Sequence, residues 1–153
     1  MSKQIPKSYL SVEQFLSLAI RFEVESAEYY HLMQKSAADR KVLELLQDLE
    51  HQEMEHERVL KEYRKDHPSK QVMQFAPELG LAMPAAPATP SLDKLFAVAI
   101  ERERQSARIY KAASDLSSGE LRKILDELAG FERQHEERLA SIRPNPGAAG
   151  AGG

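Results

Sequence analysis

The chain has 153 residues, a formal net charge of −3 and no cysteine. Its length is typical of one domain with a substantial core, and its weak acidity provides no global basic field to attract nucleic acid. The lack of cysteine excludes disulfides, thiolate catalysis and cysteine-ligated iron or zinc sites within this sequence.

Neither a secretory signal nor a membrane span is predicted. Residues 1–10 contain lysines but lack the apolar segment that a signal peptide needs. No segment approaches the roughly 18 consecutive apolar residues that cross a bilayer. We therefore expect a protein of the reducing cytoplasm with no membrane partner.

Four segments have apolar residues at helical spacing, which predicts an all-α four-helix bundle. The first helix is expected over about residues 11–37 and the second over about 40–66. The third is expected over about residues 91–114 and the fourth over about 118–142. All four are long enough to cross a small domain.

Two of the predicted helix starts carry the pattern of a capping box. In that motif a serine and a Glu or Gln three residues later bond to each other's backbone N–H groups. Ser11 with Gln14 fits the pattern at the first helix, and Ser117 with Glu120 fits it at the fourth. Both sequences therefore predict a well-defined helix start.

A proline-rich segment separates the second helix from the third. Five prolines occur from Pro68 to Pro90, which excludes a long helix there. A connection of about 20 residues can run the length of a bundle, whereas short loops join antiparallel neighbours. We therefore expect two helical hairpins joined by a long crossover, with the third helix parallel to the second. The Gly/Ala-rich tail, residues 144–153, is expected to be disordered.

The two halves of the chain repeat each other. Residues 19–30 match residues 99–110 at an offset of 80, and in both segments a tyrosine follows a glutamate after seven residues. Further on, a Glu-x-x-His motif recurs at an offset of 79. The repeated residues with ligand-type side chains are Glu23, Glu53, His56, Glu103, Glu132 and His135.

These six residues are expected to meet in the bundle core. Each interrupts the apolar stripe of its helix, and residues three apart share a helix face, so each Glu-x-x-His presents both side chains inward. The midpoint of Glu23 and Glu53 is residue 38, and that of Glu103 and Glu132 is 117.5; both lie in predicted loops. Each hairpin therefore brings its glutamates to equal height, and pseudo-twofold packing would place all six residues at one level.

Four carboxylates and two imidazoles in one core predict a dinuclear metal site. Without cations, like charges buried together would take up protons or destabilise the fold. Carboxylate and imidazole ligands suit iron or manganese, with zinc as an adventitious occupant. The alternative is a degenerate duplicated bundle that keeps the six residues as buried ion pairs.

Tyr30 and Tyr110 lie two helical turns after the first glutamate of their halves. That spacing returns each phenol to the same face as the glutamate, where it could donate a hydrogen bond to a ligand carboxylate. The alternative is that both are ordinary core tyrosines whose hydroxyls are satisfied elsewhere.

This pattern resembles the ferritin-like superfamily and, within it, the rubrerythrin-like branch. The resemblance covers residues 11–142 and rests on Glu, Glu-x-x-His, Glu, Glu-x-x-His on four successive helices, with a tyrosine seven residues after the first glutamate of each half. It implies a ferritin-like di-iron domain over residues 1–143. It also implies that the six repeated residues hold two iron ions, with Glu53 and Glu132 as the bridging carboxylates.

The resemblance further implies an oxidoreductase that reduces hydrogen peroxide or dioxygen under oxidative stress. Full-length rubrerythrins carry a rubredoxin module with four iron-ligating cysteines, so this chain is expected to need an external electron donor such as a rubredoxin-like protein. A homodimer is one arrangement that the resemblance implies, and the sequence leaves the oligomeric state open.

Two other functions remain open from the sequence. Rubrerythrins have an extra ligand glutamate on the third helix, whereas Ile100 and Ser106 stand three residues either side of Glu103 here. A ferroxidase or iron-handling protein that releases oxidised iron is the first alternative. A helical interaction module with a vestigial metal site is the second.

Overall fold

The structure is a computed structural model that describes residues 8–76, 79–87 and 91–143. It confirms the prediction of an all-α four-helix bundle, and none of the helices in these ranges is long and apolar enough to cross a membrane. The predicted disordered tail lies outside the described residues. The elements in chain order are β1 (Ser8–Ser11), α1 (Val12–Gln34), α2 (Arg40–Asp66), β2 (Val72–Phe75), α3 (Leu92–Asp115) and α4 (Gly119–Ile142).

Contacts between α1 and α3 give the relative direction of the two hairpins. The Tyr30 hydroxyl bonds to Glu103, and the Tyr110 hydroxyl bonds to Glu23. Residues later in α1 therefore contact residues earlier in α3, so these helices are antiparallel. Because α1 and α2 are joined by a short loop and pack along each other, α3 runs parallel to α2, as the long crossover predicts.

A two-stranded antiparallel ribbon, which the sequence did not predict, ties the crossover to the start of α1. β1 pairs with β2, and the Val12 N–H donates to the Gln71 carbonyl at 2.8 Å. Met73 and Phe75 are buried, and the Phe75 ring stacks on Phe15 with 5.5 Å between centroids. The ribbon thus adds apolar side chains to the end of the bundle where α1 begins.

The later part of the crossover is fastened to α3 by side chains. The Gln105 amide donates to the carbonyls of Leu79 at 3.0 Å and Gly80 at 2.7 Å, and Arg102 donates to the Pro84 carbonyl at 3.1 Å. Gly80 has a φ of +65°, a left-handed conformation that glycine adopts without steric cost. These contacts hold the crossover against the face of the bundle.

A polar layer divides the apolar core into two clusters. One cluster lies at the ribbon end and includes Phe15 and Leu60, and the other lies towards the α1–α2 loop and includes Met33 and Leu46. The layer between them contains the repeated Glu and His residues, which are buried. Close-packed side chains on both sides therefore shield the layer from water along the bundle axis.

The first predicted capping box is present at α1. Ser11 Oγ accepts a hydrogen bond from the Gln14 N–H at 3.0 Å, and Gln14 Oε1 accepts one from the Ser11 N–H at 2.9 Å. Both bonds satisfy donors at the helix start that have no partner within the helix.

The second predicted box, Ser117 with Glu120, is wrong. The chain enters α4 through Gly119, whose φ is +61°, and the capping position is Ser118. Glu120 is therefore the second helical residue rather than the third that the motif requires. The Ser118 side chain makes no capping hydrogen bond.

We expect Ser11→Ala to lower the free energy of unfolding by about 1 kcal/mol, the typical cost of removing a helix cap. Urea denaturation of the metal-free protein measures the change. Ser118→Ala is the matched control, and its change should be below about 0.5 kcal/mol because no side-chain cap is lost. Equal losses in the two variants would contradict the role assigned to Ser11.

Candidate metal centre

The structure brings all six predicted ligand residues together in the polar layer. Each is almost fully buried, the most exposed being His56 at 6%. They form two overlapping groups of four, in which one potential ligand atom per residue lies within 4.8 Å of the others. The first group is Glu23, Glu53, His56 and Glu132. The second group is Glu53, Glu103, Glu132 and His135.

Glu53 and Glu132 are the residues common to both groups. They come from α2 and α4, which each supply a histidine three residues further on. The remaining glutamates, Glu23 and Glu103, each belong to one group. Two carboxylates shared by two neighbouring sites is the arrangement that a bridged dinuclear centre requires.

Each of the six residues has one buried ligand-type atom with no hydrogen-bond partner among the described residues. His56 Nδ1 lies 3.2 Å from Glu132 Oε1, and His135 Nδ1 lies 3.1 Å from Glu53 Oε1, but neither contact has hydrogen-bond geometry. Buried polar atoms without a partner are costly and rare. The atoms concerned are Glu23 Oε2, Glu53 Oε1, His56 Nδ1, Glu103 Oε2, Glu132 Oε1 and His135 Nδ1.

A cation at the centre of each group would satisfy all of these atoms at once. Carboxylate oxygens and neutral imidazole nitrogens are ligands for iron, manganese and zinc. The residues present therefore fit two divalent ions, on the evidence of their unpaired atoms and mutual distances.

Without metal ions, the electrostatics of the site favour the protonated forms of several of its Glu and His side chains. Burial, reinforced by repulsion from neighbouring carboxylates, raises the pKa values of Glu53 and Glu132 well above their ordinary range. Burial opposes charge on the imidazoles, but the surrounding carboxylates outweigh it and raise the pKa values of His56 and His135. Metal binding must therefore displace protons.

Glu103 behaves differently from Glu53 and Glu132. Burial would raise its pKa, but contacts with Glu132, His135 and Tyr30 outweigh burial and hold the pKa below its ordinary value. The metal-free site therefore stabilises the charge of Glu103.

Both predicted tyrosines bond to carboxylates of the site, and each does so across the two hairpins. Tyr110 Oη donates to Glu23 Oε1 at 2.5 Å, and Tyr30 Oη donates to Glu103 Oε1. Each phenol therefore orients the first glutamate of the other half of the chain. Neither is a core tyrosine whose hydroxyl is satisfied elsewhere.

We expect Tyr110→Phe to weaken metal binding by about 10-fold while keeping the fold, because losing an outer partner of a ligand typically costs 10–100-fold. Anaerobic Co(II) titration followed by visible absorption measures the affinity. Tyr29→Phe is the matched control, since the Tyr29 hydroxyl bonds to the Leu95 carbonyl rather than to the site. An unchanged affinity in Tyr110→Phe would contradict the orienting role.

Sequence reasoning missed Gln52. Its Oε1 lies 2.7 Å from Nε2 of His135, the ring nitrogen that faces away from the carboxylates. The repeat gave no signal for this contact, because the counterpart of Gln52 at the offset of 79 is Phe131. The Phe131 ring instead lies 5.3 Å from the ring of His56 and is 43% exposed.

A surface cavity of about 400 Å³ lies between α2 and α4 beside His56. Val59, Leu128 and Phe131 form part of its apolar wall, and Arg138 also lines it. His135, by contrast, is fully buried. The two histidines thus differ in their access to solvent.

The comparisons with known proteins agree with this fold and site. A hypothetical protein from Pyrococcus furiosus of known structure matches with a TM-score of 0.67 and 21% sequence identity, over 86% of this chain and 87% of that chain, which shows the fold alone. Among curated proteins no sequence matches. The sequence model of the rubrerythrin family matches residues 14–143, which contain all six clustered residues. The chain therefore belongs to the rubrerythrin family.

Proposed function

We propose that this protein is a di-iron oxidoreductase that reduces hydrogen peroxide or dioxygen in the cytoplasm under oxidative stress. The observation that carries the proposal is the pair of overlapping four-residue groups, in which each residue has a buried ligand atom without a hydrogen-bond partner among the described residues. Membership of the rubrerythrin family supports a metal centre at this position.

In this proposal the six residues would hold two iron ions, and Glu53 and Glu132, which belong to both groups, would serve both ions. When bound, the irons supply two electrons, which with two protons reduce one molecule of hydrogen peroxide to two of water. Tyr30 and Tyr110 keep the non-bridging carboxylates in place through their phenolic hydrogen bonds. The apolar clusters on either side exclude bulk water from the layer.

The cavity beside His56 gives a small oxidant an approach to the centre from the α2–α4 side. Its lining includes apolar side chains and the ring of His56. An oxidant of a few atoms fits a space of about 400 Å³ easily.

We further propose that an external donor, such as a rubredoxin-like protein, returns electrons to the centre. The chain has no cysteine with which to hold an iron–sulfur centre of its own. Manganese and zinc can substitute for iron at such a site, since carboxylates and imidazoles also suit them.

Iron handling is the alternative function that a specific observation favours. The positions three residues either side of Glu103 are occupied by Ile100 and Ser106, both buried and neither a carboxylate. Glu103 is therefore not accompanied by a second carboxylate at either of these positions of α3. A ferroxidase that releases oxidised iron needs no further ligand there.

An anaerobic titration of the metal-free protein with Fe(II) tests the proposal. Saturation at two equivalents per chain is expected, followed by oxidation of both irons on addition of one equivalent of hydrogen peroxide. Mössbauer spectroscopy counts the oxidised irons, and a parallel sample with dioxygen compares the two oxidants. Turnover of Fe(II) well beyond two equivalents without added reductant would favour the iron-handling alternative. Absence of specific binding would overturn the di-iron assignment.

A further inference from the structure

The two histidines of the metal centre have different surroundings on their outer side. His135 is fully buried, and its Nε2 lies 2.7 Å from Gln52 Oε1. His56 borders the surface cavity, and within the described ranges no hydrogen-bond partner is found for its Nε2. The duplicated halves of the chain are therefore not equivalent at their most similar residues.

The orientation of the Gln52 amide is fixed by a second contact. Gln52 Nε2 donates to Asp48 Oδ2 at 2.8 Å, and Arg138 Nη2 contacts the same oxygen at 2.7 Å. A carboxylate can only accept hydrogen bonds, so the amide nitrogen must face Asp48 and the amide oxygen must face His135. Nε2 of His135 must therefore carry the proton in this contact.

That assignment leaves Nδ1 of a neutral His135 with a free lone pair. Nδ1 is 3.1 Å from Glu53 Oε1 and 3.5 Å from Glu103 Oε2, so it faces the second group of ligand atoms. A hydrogen bond to the outer nitrogen fixes the tautomer and raises the basicity of a ligating imidazole. Gln52 thus prepares His135 for metal binding.

No side chain in the described part of the chain supports His56 in an equivalent way. The residue at the position of Gln52 in the other half is Phe131, which has no acceptor and packs its ring 5.3 Å from that of His56. The outer nitrogen of His56 is left to water from the cavity. Its tautomer and ring orientation are consequently less constrained.

We propose that Gln52 makes the two metal positions unequal, so that the position containing His135 fills first and the position containing His56 fills last and exchanges metal through the cavity. Gln52 acts as a positioning residue, since it contacts a ligand and not the metal. The inference rests on the proposed dinuclear site. The two metal ions would then bind in a fixed order although the ligand set is nearly symmetric.

Stepwise anaerobic titration of the metal-free protein with Co(II) tests the order. The wild type is expected to bind two ions in steps separated by about 10–100-fold in affinity, the range typical of an outer partner of a ligand. Gln52→Leu should weaken the first step by a similar factor and leave the second unchanged. Phe131→Gln should tighten the second step, because it offers His56 an acceptor.

NMR of the Zn(II)-loaded protein gives a readout that a change in packing alone would not move. Long-range 15N–1H correlations should show a slowly exchanging Nε2 proton on His135 and a rapidly exchanging one on His56. Gln52→Leu should make the His135 proton exchange rapidly. Gln134→Leu, an exposed residue at the cavity, is the matched control and should change neither the protons nor the affinities.

Two outcomes separate this inference from the proposed function. Two ions bound with equal affinity, or a Gln52→Leu variant with unchanged affinities and unchanged His135 proton exchange, would overturn the inference and leave the dinuclear site intact. Failure of the wild type to bind two ions would overturn both. Circular dichroism of each variant establishes that it is folded, and Phe131→Gln provides an independent test should Gln52→Leu lose its structure.

Discussion

Glu53→Ala is expected to abolish binding of two metal ions. Glu53 belongs to both groups of ligand atoms, so its loss leaves each group with three residues. The decrease in affinity should exceed the roughly 10–100-fold that loss of an outer partner costs. Anaerobic Fe(II) titration should show fewer than two equivalents bound per chain.

The metal-free Glu53→Ala protein should keep its fold. Burial and the neighbouring carboxylates Glu23 and Glu103 raise the pKa of Glu53, which means that the site resists its charge; removing Glu53 therefore relieves repulsion among the remaining carboxylates. Far-ultraviolet circular dichroism should therefore match that of the wild type. Retention of a normal two-metal centre in this variant would overturn the ligand assignment.

Two further variants sharpen the comparison. His56→Ala removes a ligand from only one group, so it should retain one ion and lose the other. Glu62→Ala is the matched control on the same helix, because Glu62 is exposed and pairs with Arg58 at the surface. It should bind two ions with unchanged affinity.

The sequence was sufficient to predict that the six Glu and His residues lie together, because two periodicities coincide there. Helical spacing put Glu53 and His56 on one face of α2, and the repeat put Glu132 and His135 on the matching face of α4. Equal distance from each turn then fixed their height, and the structure gathers them in one layer. Helical spacing and internal duplication can both be recognised in a single sequence.

The features that the sequence did not reveal depend on contacts between distant segments. The β1–β2 ribbon pairs Ser8 with Phe75, and each strand has only four residues in a segment with no strong pattern. The contact between Gln52 and His135 crosses from α2 to α4 and has no counterpart in the repeat. Such pairings follow from tertiary packing, which local propensity does not encode.

The misplaced capping box at α4 has a different cause. The motif at Ser117 and Glu120 was correct in composition, but a left-handed Gly119 moved the helix start by one residue. Glycine adopts this conformation as readily as a right-handed one, so the sequence alone did not distinguish the two starts.

Metal is expected to stabilise the protein strongly, and more so as the pH rises. At a free metal concentration 100-fold above the dissociation constant, one site contributes about 2.7 kcal/mol. For a domain of this size that corresponds to a rise in Tm of roughly 5–10 °C per site. Differential scanning calorimetry with and without Mn(II) measures the rise without redox chemistry.

The sign of the pH dependence follows from the directions of the pKa shifts. Glu53, Glu132, His56 and His135 have raised pKa values in the folded metal-free protein. Each contributes stability that is fully present below its unfolded pKa, about 4.3 for Glu and 6.5 for His, and is lost as the pH rises through the folded value. Glu103, with its lowered pKa, contributes in the opposite sense.

Four groups have raised pKa values and one has a lowered pKa. The metal-free protein should therefore lose stability between about pH 5 and pH 8. Over the same range metal ions compete with fewer protons for the same atoms, so their stabilising effect should grow. The difference in Tm between metal-loaded and metal-free protein should therefore be larger at pH 8 than at pH 5.5. If the Tm were the same with and without metal at every pH, the polar layer would be a vestigial site. The helical interaction module would then become the leading function.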